Sequence, residues 1–224
     1  MAEKILILGN SGTGKSTSLR SLDPETTFII QCVNKKLPFK GWKSKYTQIT
    51  ESNPNGNLCF TNDYQDIWKK LKYINNKLPK IKTVIIDDAH YLMTDDFMNR
   101  VTQKVSKGEG YEKYNQIAFN FHSLLKTAEN MRDDINVFFL AHTQTDDYGN
   151  RSIKTVGRLL DNMIVIEGLA SIVLESSIKE NKYVFQTNKK DGSEPCKSPM
   201  GMFEELFIDN DLQYVIEKIN EYDN

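Results

Sequence analysis

Residues Gly9-Asn10-Ser11-Gly12-Thr13-Gly14-Lys15-Ser16-Thr17 constrain this chain more than any other stretch, because they directly follow the apolar run Ile5-Leu6-Ile7-Leu8. They fit the phosphate-loop (Walker A) pattern without a mismatch. A bound triphosphate needs several backbone N–H donors converging on its oxygens, and glycines let the chain wrap that closely without steric cost. Lys15 is then expected to reach the β- and γ-phosphates and Ser16 to place its hydroxyl on Mg²⁺, with ATP as the nucleotide. A helix beginning near Gly14 is expected to add a favourable dipole. The alternative, a chance glycine turn, is disfavoured because the pattern requires a strand before it and a helix after it. Both are predicted: a buried strand over 5–8, and a short helix over 16–22 that stops before Pro24.

The length of 224 residues predicts a single domain over 1–224, with an insertion at about 34–62. Lys plus Arg total 29 against 30 for Asp plus Glu, so a net charge of −1 provides no global field for a polyanion, and any nucleic-acid surface must be local. Cys32, Cys59 and Cys196 are odd in number, far apart and without metal-ligand spacing, which points to a reducing compartment rather than a disulfide framework. No apolar run approaches a membrane span, and Met1-Ala2-Glu3-Lys4 leads straight into the first strand without room for a signal peptide. A cytoplasmic location, without a membrane partner, is the expectation.

Further along, the run Thr26-Thr27-Phe28-Ile29-Ile30 predicts a second strand. Segment 34–62 carries Pro38, Gly41, Pro54 and Gly56 and reads as a loop with a hairpin inside it. Its Lys35, Lys36, Lys40, Lys43 and Lys45 interleave with Phe39, Trp42 and Tyr46. Such a patch suits a nucleic-acid backbone with stacked bases, and equally a solvated insertion whose aromatics pack on the body. Asp63 reads as the N-cap of a helix carrying Tyr64, Ile67, Trp68, Leu71, Ile74 and Leu78 at helical spacing and ended by Pro79.

Thr83-Val84-Ile85-Ile86-Asp87-Asp88 is an apolar strand closing on two carboxylates, the form of a Walker B element. Asp87 is the expected Mg²⁺ residue, and Asp88 the residue that orients or deprotonates the attacking water. Helices are predicted over 90–107 and 111–133, separated by Gly108-Glu109-Gly110, with His122 a partly exposed helix residue. A buried strand over 135–141 ends in His142-Thr143-Gln144, and ligands of open α/β sheets sit beyond the carboxyl ends of strands. His142 reads as a γ-phosphate sensor with Gln144 as its understudy, or as a simple strand-end histidine. Residues 145–158 are hydrophilic and predict a loop, 170–175 and 183–187 predict a hairpin about Glu180-Asn181, and a final helix is predicted from about Asp211.

The order of these elements resembles the RecA-like, AAA-family P-loop ATPases of bacteriophages, a group implicated in single-strand DNA annealing and recombination. The likeness extends to Leu37-Pro38-Phe39-Lys40-Gly41-Trp42 and Lys197-Ser198-Pro199-Met200-Gly201-Met202-Phe203. It implies a three-layer αβα sandwich with a mainly parallel sheet and a late β-hairpin. It also implies self-association into a ring or filament, with single-stranded DNA and recombination or replication proteins as partners. Loops after the two functional strands then face DNA, which makes Arg100, Lys104, Lys107, Arg151 and Lys154 candidate phosphate contacts. Lys189, Lys190 or Lys197 would reach the neighbouring subunit's γ-phosphate. One departure stands out. RecA-type enzymes carry a catalytic glutamate after the second strand, whereas Gln31-Cys32-Val33-Asn34 has no carboxylate. Either Asp88 takes over as base or hydrolysis is slow. The expected activity is ATP hydrolysis with Lys15, Asp88 and His142 in the catalytic set. The rivals are a nucleotide-dependent switch that recruits a protein partner and a small-molecule kinase.

Overall fold

The computed structural model describes residues 1–101, 110–157, 160 and 164–223. Its scaffold is an eight-stranded sheet in the order β10-β9-β8-β1-β5-β4-β2-β3. The strands are β1 (Glu3–Leu8), β2 (Thr27–Gln31), β3 (Leu58–Phe60), β4 (Thr83–Asp87), β5 (Asn136–Ala141), β8 (Ile172–Lys179), β9 (Lys182–Gln186) and β10 (Phe207–Asp209). Strand β1 pairs in parallel with β5 on one side and β8 on the other, and β5, β4, β2 and β3 continue the parallel run. Only β8–β9 and β9–β10 are antiparallel.

Continuous apolar strands arise because both faces of the sheet are covered. Successive residues point to opposite sides, so Leu6, Leu8, Phe28, Ile30, Val84, Ile86, Val137 and Phe139 enter one core. Ile5, Ile7, Ile29, Ile85, Phe138 and Leu140 enter the other. The first core is closed by α2 (Tyr64–Lys77), α3 (Tyr91–Val101) and α4 (Gly110–Glu129), through residues such as Ile67, Leu71, Leu92, Phe121 and Leu124. The second is closed by a short 3₁₀ helix, Ser16–Ser21, and by α5 (Leu212–Asp223), through Leu19, Leu22, Leu212, Val215 and Ile219. Burying each such side chain contributes roughly 1.5–3 kcal/mol. The result is the expected α/β sandwich with helices on both faces of a mainly parallel sheet. Asp63 caps α2 as the sequence predicts, its carboxylate accepting from the backbone N–H groups of Gln65 and Asp66.

The structure corrects several local expectations. The turn after the phosphate loop is a six-residue 3₁₀ helix, too short to supply much of the dipole expected near Gly14. Segment 34–62 holds a minimal hairpin, an antiparallel bridge between Thr50 and Asn53, but it is more than a loop: its end returns as β3, parallel to β2, and its middle holds a helical turn, α1 (Trp42–Lys45). Phe39, Trp42 and Tyr46 of that segment pack inward, whereas Phe60 is exposed. Tyr46 is fully buried and donates its hydroxyl to the Leu22 carbonyl at 3.4 Å, while Leu37 is buried and Phe39 and Trp42 pack on the same core. Residues 145–158 were expected as a loop, but Thr143–Thr145 (β6) and Arg151–Ile153 (β7) form a two-stranded ribbon. Strand β10 had no strong signal in the sequence. No helix among the described residues is long and apolar enough to cross a membrane, and all three cysteines are buried and free.

The β8–β9 hairpin turns at Glu180 and Asn181, with φ of 48° and 62°. Two successive left-handed residues are the mark of a two-residue hairpin turn, where asparagine and glycine are at ease and glutamate is not. Glu180→Asn is therefore expected to raise the unfolding free energy by about 0.5–1 kcal/mol, read as a higher urea midpoint with an unchanged slope.

Candidate functional site

The phosphate loop leaves the carboxyl end of β1, the strand held between β5 and β8. Two glycines are required by close approach. A Cβ on Gly9 would lie 2.5 Å from the Ser176 carbonyl oxygen of β8, and one on Gly14, at φ 99°, would lie 2.8 Å from the Tyr183 ring of β9. The loop is tied to its surroundings by three hydroxyls. Thr13 donates to the Asn10 carbonyl at 2.8 Å, Ser176 to the Thr13 carbonyl at 2.5 Å, and Thr143 to the Asn10 side-chain oxygen at 3.1 Å. Ser11, Gly12, Lys15, Ser16 and Thr17 line the cleft above it.

Lys15 is buried, and its ammonium donates back to the carbonyls of Gly9 and Asn10, both at 2.8 Å. Burial lowers its pKa to about 8, against the opposing pull of Asp88 and Asp87. Ser16, at the start of the 3₁₀ helix, donates its hydroxyl to Asp87 Oδ1 at 2.8 Å, across 71 residues of sequence. Asp87 is 1 % exposed, and no described residue bonds its Oδ2. Burial, reinforced by the neighbouring Asp88 carboxylate, raises its pKa. A buried carboxylate oxygen without a partner, beside a hydroxyl at the phosphate loop, fits a hard divalent cation such as Mg²⁺, which takes oxygen ligands and retains waters. Gln31 pairs in register with Asp87 on the adjacent strand, and its amide nitrogen is likewise buried without a hydrogen-bond partner.

Asp88 follows with φ of 62°, a left-handed residue that turns the chain out of β4. Its carboxylate is 4 % exposed and forms an ion pair with the Lys35 ammonium. Burial lowers the pKa of Lys35, but Asp87 and Asp88 outweigh it and hold the group above its ordinary value. The sequence placed Lys35 in a basic and aromatic patch. Its position in the cleft had one available signal: it lies four residues beyond the end of a parallel strand, where α/β sheets bind ligands.

His142 lies one residue beyond β5 and faces the same cleft. Its ring stacks on His90 at 4.3 Å, and its backbone N–H donates to His90 Nδ1 at 3.3 Å. That bond places the His90 proton on Nε2. Burial, then the neighbouring His142, lowers the His90 pKa to about 3, while burial and Lys15 also lower that of His142. Both rings are therefore neutral near pH 7. Nothing in the sequence beyond proximity to Asp88 marked His90 as the support for His142.

Of the other candidates among the described residues, Lys154 approaches this cluster: its backbone N–H donates to the His142 carbonyl at 2.7 Å, and its charge adds to burial in lowering the pKa of His142 and His90. Arg100 pairs with Asp96 on α3, and Lys104 and Lys107 lie outside the described residues. Arg151 makes two bonds to Glu175, at 2.8 and 2.9 Å, whereas Lys154 is exposed next to the β6–β7 ribbon. Lys189 and Lys190 are exposed, and the backbone of Lys197 pairs with Val173. None of these three lines the cleft of its own chain. Gln144 lies in β6, one turn of the strand beyond His142.

The His90 environment predicts an acid sensitivity. Between its ordinary pKa of 6.5 and its folded value of about 3, the unfolded chain binds a proton that the folded chain does not. The stability linked to His90 is thus complete above pH 6.5 and is lost as pH falls through that window. From pH 7 to pH 4 the native protein should lose about 3 kcal/mol more than His90→Asn, which retains an acceptor for His142. Urea unfolding at the two pH values measures the difference.

Comparison with curated proteins gives no match. Comparison with protein families matches the AAA domain model (AAA_24) over residues 1–195, which contains the phosphate loop, Asp87, Asp88, His142 and both strands of the late hairpin. The chain thus belongs to the AAA domain family of P-loop nucleotide-binding ATPases.

Proposed function

We propose that this chain binds Mg-ATP in the cradle of residues 9–17 and hydrolyses it, coupling the cycle to self-assembly on single-stranded DNA. The observation that carries the nucleotide reading is the 2.8 Å contact between Ser16 and Asp87, with the second Asp87 oxygen buried and unpartnered. Ser16 and Asp87 would hold the ion. When bound, Mg²⁺ supplies charge neutralisation at the phosphate oxygens. Lys15 exchanges the carbonyls of Gly9 and Asn10 for oxygens of the β- and γ-phosphates. Neutral His142 hydrogen-bonds the terminal phosphate, and His90 fixes its orientation through the ring stack and the backbone bond. Asp88 accepts a proton from the attacking water as the new P–O bond forms and the β,γ-bridging P–O bond breaks.

The DNA reading is supported by the β6–β7 ribbon, which leaves the sheet beside His142 and carries Tyr148, 91 % exposed, at its tip, followed by exposed Lys154. An aromatic and a cation on one projecting ribbon suit a stacked base and a phosphate. A second reading, a nucleotide-dependent switch with little turnover, is favoured by the Lys35–Asp88 ion pair, which occupies the proposed base.

Equilibrium binding and steady-state phosphate release test these assignments. Lys15→Ala should weaken ATP binding about 100-fold or more, and Asp87→Asn should remove the dependence of binding on Mg²⁺. Asp88→Asn should leave ATP affinity within about threefold while lowering turnover about 100-fold or more. An oligothymidylate should stimulate turnover and increase particle size in the presence of ATP, and Tyr148→Ala should reduce both effects. Purified protein that ignores nucleotide overturns the proposal; nucleotide binding with negligible phosphate release selects the switch.

A further inference from the structure

Three lysines, Lys15, Lys35 and Lys36, line the phosphate cleft, and two of them face its carboxylates. Lys15 belongs to the cradle, and Lys35 reaches the cleft from the segment leaving β2, beside Lys15, Ser16, Thr17 and His142. The Lys35 ammonium is held by Asp88, and the two members of that pair are unlike in freedom. Asp88 is anchored at the end of β4 with its carboxylate 4 % exposed, whereas the Lys35 side chain is 40 % exposed on a flexible four-carbon stem. Two ammonium groups thus balance two adjacent buried carboxylates. A terminal phosphate brings more charge and more acceptor oxygens than a carboxylate, so it competes for whichever ammonium can move. Lys35 is the more exposed of the two, and its release would return the Asp88 carboxylate to the cleft.

Resting on the nucleotide reading above, we propose that Lys35 is a second phosphate-binding cation: paired with Asp88, it transfers to the terminal phosphate of a bound nucleoside triphosphate and frees Asp88. A diphosphate lacks the group that draws Lys35 away, so the pair stays closed. The pair therefore distinguishes triphosphate from diphosphate and keeps the base occupied until a triphosphate is present.

Removing Lys35 alone would also expose the Asp88 charge to the phosphate, so the decisive comparison is made where that charge is absent. Asp88→Asn is compared with the double variant Lys35→Gln/Asp88→Asn for binding of a non-hydrolysable ATP analogue and of ADP, both with Mg²⁺, by calorimetry. The double variant is expected to bind the analogue at least tenfold more weakly than Asp88→Asn, with ADP affinity within threefold. Equal analogue affinity in the two proteins would overturn the proposal and leave Lys35 as a neutraliser of Asp88. A wild-type protein that binds neither nucleotide would overturn the nucleotide reading, and this proposal with it. A measurement that needs no variant uses wild-type protein and reductive methylation of lysines, read by mass spectrometry at Lys35. Slower modification with the analogue than with ADP supports the transfer, and equal rates with both nucleotides bound count against it.

Discussion

Burial of β1 on both faces and along both edges is the constraint from which the site follows. With Ile5 and Ile7 in one core, Leu6 and Leu8 in the other, and β5 and β8 hydrogen-bonded at its sides, this strand has no freedom to slide or rotate. A one-residue slip would exchange its two apolar faces and break both ladders. Its carboxyl end is consequently a fixed platform. The chain beyond Leu8 must pass so close to Ser176 that only glycine fits at position 9. The same parallel register places Asp87 at the end of β4 and His142 just past the end of β5. Groups distant in sequence thus meet because parallel strands share a common polar end.

That convergence has an electrostatic cost. Asp87 and Asp88 are adjacent and almost entirely buried, an arrangement that disfavours ionising both without nearby positive charge. Lys15 and Lys35 supply that charge by different routes. Lys15 is buried in the loop and bonded to its own carbonyls, whereas Lys35 reaches in from a neighbouring segment to Asp88. The neutral His90–His142 stack adds polarity without a further charge, because burial disfavours the imidazolium form of both rings. The two ammoniums match the two carboxylates in charge, yet Asp87 Oδ2 still lacks a hydrogen-bond donor among the described residues.

The sequence exposed those parts whose signal is local. The phosphate loop, the acidic end of β4, the Asp63 cap and the Glu180-Asn181 turn each depend on a few contiguous residues, so their places in the fold were legible from spacing alone. Strands β3 and β10 were not, because each contributes three residues and owes its pairing to a neighbouring strand. The β6–β7 ribbon was hidden in a polar stretch for the same reason. Tyr46 shows a different limit. Set among lysines, it suits a stacking aromatic as well as one packed on the body, and only the path of 34–62 over the α5 side of the sheet decides for the second. His90 and Lys35 are site residues through contacts made across the fold, with Asp88 and His142, that no local pattern encodes.

A residue's contribution to the fold and its contribution to chemistry pull apart most clearly at Asp87 and Asp88. An apolar strand end would be cheaper to bury, and Asp88 additionally adopts a left-handed backbone that most residues avoid. The surrounding sheet tolerates both because β4 lies between β5 and β2, with Val84 and Ile86 locked into one core and Ile85 into the other. The rigid apolar part of the strand therefore sustains two polar residues that would not hold their positions alone. Preorganisation of this kind gives an electrostatic site its effect, since charges already fixed in place need not reorganise when ligand arrives. In the proposed cycle the rearrangement on binding is confined to the side chains of Lys15 and Lys35, which exchange protein oxygens for phosphate oxygens, rather than spread through the sheet.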